Sequence, residues 1–144
     1  MCIRRMDKSE SFEILELWMR SMTHGNDFIE SDFWQKHYDK AKEMYLNEKD
    51  NFVYIKDEKI VGFICIDSEN SVGGVFVDPD YENQGIGTAL MNFIKNSYTL
   101  LHLSIFMKNR RTLAFANYHD FVIDGAEKDS ISGEIQYTMI WQKA

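Results

Sequence analysis

The stretch 73–93 constrains this chain more than any other: Gly-Gly-Val-Phe-Val-Asp-Pro-Asp-Tyr-Glu-Asn-Gln-Gly-Ile-Gly-Thr-Ala-Leu-Met-Asn-Phe. An apolar run of β type, Val75-Phe76-Val77, leads to a break at Pro79, a Gln84-Gly85-Ile86-Gly87 turn and a helix start. Gly85 and Gly87 let the backbone approach an anion with no Cβ in the way. The N–H groups that open a helix around Gln84, Gly85, Ile86, Gly87 and Thr88 have no intrahelical partner, so they are free to bind phosphate oxygens. Ile86, Ala89, Leu90, Phe93 and Ile94 then share one helical face. A dinucleotide fingerprint wants a third glycine where Leu90 stands, and a P-loop wants Gly-Lys-Ser/Thr where Gly87-Thr88-Ala89 stands. What remains is a pyrophosphate site of another kind.

The pattern around this motif alternates helices and strands. Residues 2–6 read as a short strand, and Asp7-Lys8-Ser9-Glu10 reads as a capping box opening a helix with Phe12, Leu15, Trp18 and Met22 inward. Ser31 and Asp32 start a second helix, with Phe33, His37, Ala41 and Tyr45 four apart. A meander follows: strands at 51–56, 60–67 and 71–77, turning at 57–59 and 68–70. After the cradle helix come a strand at 101–106, a helix at 109–119 and strands at 121–126 and 134–141. This predicts a mixed α/β fold.

With 144 residues, one proline, no repeat and no low-complexity tract, the chain reads as one domain over 1–144. No apolar run approaches the ~18 residues of a membrane span, and the N-terminus lacks the apolar stretch of a signal peptide. Cys2 and Cys65 do not make a disulfide framework, and Cys65 sits in an apolar strand as a buried thiol, so a reducing, cytoplasmic location is expected. The balance of 16 basic against 23 acidic residues argues against nucleic acid and favours a cationic partner such as an amine. Against that background Lys108, Arg110 and Arg111 gather where a helix begins, a place where the macrodipole disfavours cations. They fit either a solvated helix end or a nearby polyanion.

The central run resembles the acetyl-CoA-binding motif of the GNAT superfamily of N-acetyltransferases, particularly its small single-domain bacterial members. Residues 109–121, an Asn followed by aromatic residues and a closing Phe121, are similar to a second segment of that family. Residues 17–21 and Asp27-Phe28-Ile29 resemble its first helix and acceptor-side loop. The resemblance implies a mostly antiparallel central sheet, splayed between its fourth and fifth strands and flanked by about four helices. It further implies that acetyl-CoA is the co-substrate, with no metal, and that its pantetheine arm enters the splay along the main chain of Val75, Phe76 and Val77. By the same resemblance Asn109 contacts that arm, Arg110 and Arg111 meet the phosphates and Phe115 lines the cofactor. An amine acceptor, no membrane partner and a monomer or homodimer complete the expectation.

Three departures stand out. Glu82-Asn83 occupies a place where Arg or Gln followed by Gly is common, and Asp120 stands where Gly usually precedes Phe. Ala116 takes the position of the Tyr thought to protonate the departing thiolate. Tyr118 is the nearest substitute, but two helical positions put it about 200° around the axis. Direct acetyl transfer needs a positioned thioester, an oxyanion donor, a base and an acid. An N–H near Phe76 or Val77 serves the oxyanion, as the resemblance implies. His24, Asp27 and Glu30 in the acceptor-side loop and His102 on the fifth strand are the candidate bases, each of which also reads as an ordinary polar surface group. Trp18, Phe28, Phe33, Trp34 and Tyr38 suit a core, with Phe28 or Trp34 left for an acceptor pocket. The expectation is an N-acetyltransferase slowed by Ala116. The alternatives are a CoA-binding module with little catalysis and an α/β interaction domain whose glycines only turn the chain.

Overall fold

A computed structural model describes residues 2–25, 36–39, 42–43 and 50–144. Asp7 caps the first helical segment by a reciprocal capping box: its carboxylate accepts the Ser9 N–H at 2.9 Å, and Glu10 Oε1 accepts the Asp7 N–H at 2.8 Å. A 3-10 turn, Lys8–Glu10, runs into α1, Ser11–Gly25. Ile14, Leu15, Leu17 and Trp18 form its buried face. Phe12, expected inward, is 68% exposed, because it lies 200° around the helix from Ile14. The helix expected from Ser31 lies largely outside the described residues.

Among the described residues, seven strands make two sheets. β1 (Ile3–Arg5), β2 (Asp50–Lys56), β3 (Lys59–Ile66) and β4 (Val72–Val77) form an antiparallel sheet in sequence order. β5 (Leu100–Phe106), β6 (Val122–Lys128) and β7 (Ile135–Gln142) form a second, in the order β5-β7-β6. Two further helices are α2 at Ile86–Lys95 and α3 at Arg110–Tyr118. The strands expected from the sequence are all present, with ends shifted by one or two residues. The expected splay is there too: β4 and β5 meet only at one parallel bridge, Ser71 with His102, where the His102 N–H donates to the Asn70 carbonyl at 2.9 Å. Beyond it the two strands pair with different sheets. A V-shaped gap therefore runs from that bridge toward Val77 and Phe106.

The core lies on both faces of the first sheet. β3 sends Phe63 and Cys65 to the α1 side, with Ile14, Leu17, Trp18 and Phe76, and sends Ile64 and Ile66 to the other side. There α2 contributes Ile86, Leu90, Met91 and Ile94, while α3 contributes Ala116. Burying apolar side chains at roughly 1.5–3 kcal/mol each fixes α2 and α3 on one face of the V and α1 on the other.

Candidate active site

The cradle forms at the end of the V, where β4 hands over to α2. Gly85 is the N-cap of α2 with φ +79°, and no side chain caps the helix there. The first intrahelical bond runs from the Ala89 N–H to the Gly85 carbonyl at 2.9 Å, so the N–H groups of Ile86, Gly87 and Thr88 remain to face an anion. The two glycines serve different ends. A Cβ on Gly85 would meet no atom within 4 Å, so its backbone angle is what requires glycine. A Cβ on Gly87 would lie 3.1 Å from the Phe115 ring and 3.7 Å from Val77 Cγ2. Val77, Gly87 and Phe115, far apart in sequence, thus make one surface.

Several of the other expected residues have side chains engaged within the protein itself. The Ile86 side chain is 2% exposed and belongs to the core. The Phe76 ring stacks on Phe63 at 5.8 Å, on the α1 side, while Val75 and Val77 turn to the opposite side. Asn109 is buried and caps α3, its Oδ1 accepting the Thr112 N–H at 3.1 Å. The Gln84 side chain accepts from Lys56 Nζ at 2.6 Å.

Charged groups from three elements converge beside the cradle. Glu82 Oε2 lies 2.9 Å from the Arg111 guanidinium and 3.3 Å from His24 Nε2, contacts that link the start of α3 to the end of α1. Asp78, 3% exposed, pairs with Arg20 of α1 at 2.6 Å and caps the 3-10 turn Pro79–Tyr81 through the Asp80 N–H. Sequence reasoning singled out neither Asp78 nor Arg20; an Asp directly before the only proline was the available signal. The expected pair Arg110 and Arg111 divides. Arg111 shares its helix face with Phe115, four residues on, and reaches Glu82, whereas Arg110 turns toward Met107, Lys108, Leu113 and Tyr137.

A second buried polar contact was not foreseen. His119 is 4% exposed, and its Nε2 lies 3.2 Å from Thr88 Oγ1 in the first turn of α2. Burial lowers the His119 pKa below its ordinary value, the Lys95 charge adds to this, and Asp120 opposes it. Lys95 Nζ donates to the His119 carbonyl and sits 4.8 Å over the Trp141 ring. Burial likewise lowers the Lys95 pKa. Asp120 has φ +67°, and the Phe121 N–H closes on the Ala116 carbonyl at 3.0 Å, a left-handed helix end that explains glycine's usual presence there.

The catalytic expectations for α3 change. Ala116 is fully buried in the core, so a ring at that position meets packed side chains. Tyr118 is 75% exposed, edge-on to His119, at the last residue of α3 and ~13 Å along the axis from Asn109. His102 stands at the closed end of the V, and His24 is tied to Glu82. Asp27, Phe28, Glu30 and Trp34 lie outside the described residues.

The sequence profile of the Acetyltransferase (GNAT) family matches residues 12–121. The chain belongs to that family. Among relatives of this GNAT acetyltransferase is the peptidyl-lysine N-acetyltransferase YiaC of Escherichia coli K12, 33% identical over 128 residues that cover 88% of each chain. Two solved structures share the fold. One is the apo form of YjaB from Escherichia coli, with TM-score 0.84, 21% identity and coverage of 99% and 97% of the two chains. The other is the PaiA N-acetyltransferase of Thermoplasma acidophilum in complex with coenzyme A, with TM-score 0.79, 17% identity and 97% of each chain covered. As a GNAT N-acetyltransferase, the chain carries an acetyl group from acetyl-CoA to an amine. Among the described residues no helix is long and apolar enough to cross a membrane, and no group of acidic, histidine and cysteine side chains is placed to hold a metal ion.

Proposed function

We propose that residues 1–144 act as one cytoplasmic N-acetyltransferase domain whose acceptor is the amine of a peptidyl lysine. The observation that carries the reading is the V between β4 and β5, closed by the Ser71–His102 bridge and ending at the Gly85 cradle. A gap between strands suits an extended arm that makes main-chain hydrogen bonds, and the cradle at its end suits a pyrophosphate. The name of the YiaC relative supports the lysine acceptor.

Bound acetyl-CoA supplies an activated thioester. In this assignment the N–H groups of Ile86, Gly87 and Thr88 hold its pyrophosphate, and Arg111, beside them, adds a cation. The main chain of Val75, Phe76 and Val77 holds the arm, and an N–H at Phe76 or Val77 stabilises the charge that develops on the thioester oxygen. Asn109 fixes the start of α3 at the gap. For protonation of the departing thiolate no described side chain takes the place left by Ala116, since Tyr118 is at the far end of the helix. A thiol with pKa about 8.5 leaves tolerably as thiolate, and a positioned acid adds on the order of 10²–10⁴-fold. Turnover is therefore slow, with protons delivered by water.

The test is thiol release from acetyl-CoA across lysine peptides, free amino acids and small amines. Acetylated lysine in peptides, found by mass spectrometry, is the expected result. Transfer to small amines alone would overturn the peptide reading.

A further inference from the structure

Of the five arginines, four sit in ion pairs: Arg4 with Glu10, Arg5 with Asp50, Arg20 with Asp78 and Arg111 with Glu82. Among the described residues Arg110 is in none. It lines an open groove of about 530 Å³ with Met107, Lys108, Leu113 and Tyr137. That volume falls within the roughly 300–1,000 Å³ of sites that bury a small ligand. Leu113 and Tyr137 pack on the core from below, and Met107 is 39% exposed. Lys108 is balanced by Glu134 at 3.1 Å, which leaves Arg110 as the unbalanced cation of a partly apolar groove.

The groove lies on the other flank of α3 from the cofactor cradle. Met107 and Lys108 directly follow Phe106, the end of β5 furthest from the Ser71–His102 bridge, so the groove lies at the rim of the V's open end. Arg110 and Arg111 leave α3 about 100° apart. Arg111 faces Glu82 and the cradle, and Arg110 faces Tyr137 of β7 on the other flank.

We propose that this groove holds the acidic side chain, Asp or Glu, of an acceptor polypeptide, a few residues from the lysine that is acetylated. The proposal rests on the peptidyl-lysine reading above. A protein with net charge −7 repels acidic segments everywhere except where a cation is locally unmatched, so the groove distinguishes acceptors by charge. The guanidinium fork takes a carboxylate through two parallel hydrogen bonds. Met107 and Leu113 cover the methylenes of the incoming side chain, which strengthens the pair by excluding water.

Two measurements test it, on peptides with one lysine and a single Glu scanned from four residues before to four after, against an all-neutral control. In turnover, Arg110→Ala should raise KM about tenfold for the best Glu-containing peptide, leave the control within twofold and leave kcat unchanged, with Arg110→Lys intermediate. In fluorescence anisotropy the same peptides with arginine in place of lysine should bind the parent and lose about tenfold with Arg110→Glu. This second assay reads the groove without turnover: if no lysine peptide is acetylated yet Arg110-dependent binding persists, the groove stands and the lysine acceptor falls. Equal losses for acidic and neutral peptides would overturn the groove. So would weaker acetyl-CoA binding in Arg110→Ala with dephospho-CoA unaffected, since Arg110 would then hold the cofactor's 3′-phosphate.

Discussion

Thr88 Oγ1 lies 3.2 Å from His119 Nε2, tying the first turn of α2, which carries the anion cradle, to the end of α3. The folded state disfavours the imidazolium, chiefly through burial and then through Lys95. An unfolded histidine titrates near 6.5, so above that pH both states are neutral and nothing is lost. As pH falls below 6.5, the unfolded chain takes up a proton that the folded chain refuses, and stability declines until the lower folded pKa is passed. His119→Gln should therefore show a smaller fall in Tm between pH 7.5 and 5.5 than the parent. Identical falls would mean that His119 protonates freely in the folded state.

The two glycines of the cradle should fail in different assays. Gly85→Ala places a Cβ at φ +79°, a left-handed conformation that costs roughly 1–2 kcal/mol, and should lower Tm. Gly87→Trp puts bulk against Phe115 and over the N–H groups, and should abolish acetyl-CoA binding in calorimetry. Gly87→Ala, with its Cβ 3.1 Å from the Phe115 ring, should weaken binding about tenfold and recover in part with Phe115→Leu. Unchanged affinity in Gly87→Trp would place the cofactor elsewhere.

Restoring the family's tyrosine should not rescue catalysis. Ala116 is fully buried beside α2, and overpacking a core costs typically about 1–3 kcal/mol, so Ala116→Tyr should melt several degrees lower. Tyr118→Phe should change kcat less than twofold, because the hydroxyl is on the surface. A tenfold loss in Tyr118→Phe would reinstate that residue as the acid.

Glu82 sits within ion-pair distance of Arg111 and beside His24 at the cradle, so it competes with any phosphate for the Arg111 guanidinium. Glu82→Gln should bind acetyl-CoA several-fold more tightly at low salt, with the gain shrinking as ionic strength rises. Arg111→Ala should bind more weakly in both backgrounds. No gain in Glu82→Gln at low salt would mean that the carboxylate faces away from the bound phosphates.

Local signals carried the fold. Strand-type runs broken by turns at 57–59 and 68–70 marked β2 to β4, the Asp7–Glu10 capping box marked the first helix, and Gly85 with Gly87 marked the turn into α2, because each acts within a few residues. What stayed hidden depends on which way a side chain turns. Phe12 fitted the stripe of α1 by spacing yet lies outside it, and Arg110 and Arg111 read as one patch until α3 turned them apart. Thr88 and His119 are 31 positions apart, with no pattern to link them. The burial of Ala116 was equally illegible, since only the packing of α3 on α2 decides it.

The Ser71–His102 bridge leaves the two sheets joined like book covers on a spine one residue pair wide. An arm laid between β4 and β5 would act as an eighth strand supplied by a small molecule, shared by both covers. Loading would then do more than fill a site: it would add main-chain hydrogen bonds between two sheets that otherwise meet through a shared side-chain core. Amide exchange along the facing edges of β4 and β5 should slow in the loaded protein, so the donor would complete the sheet on which it reacts.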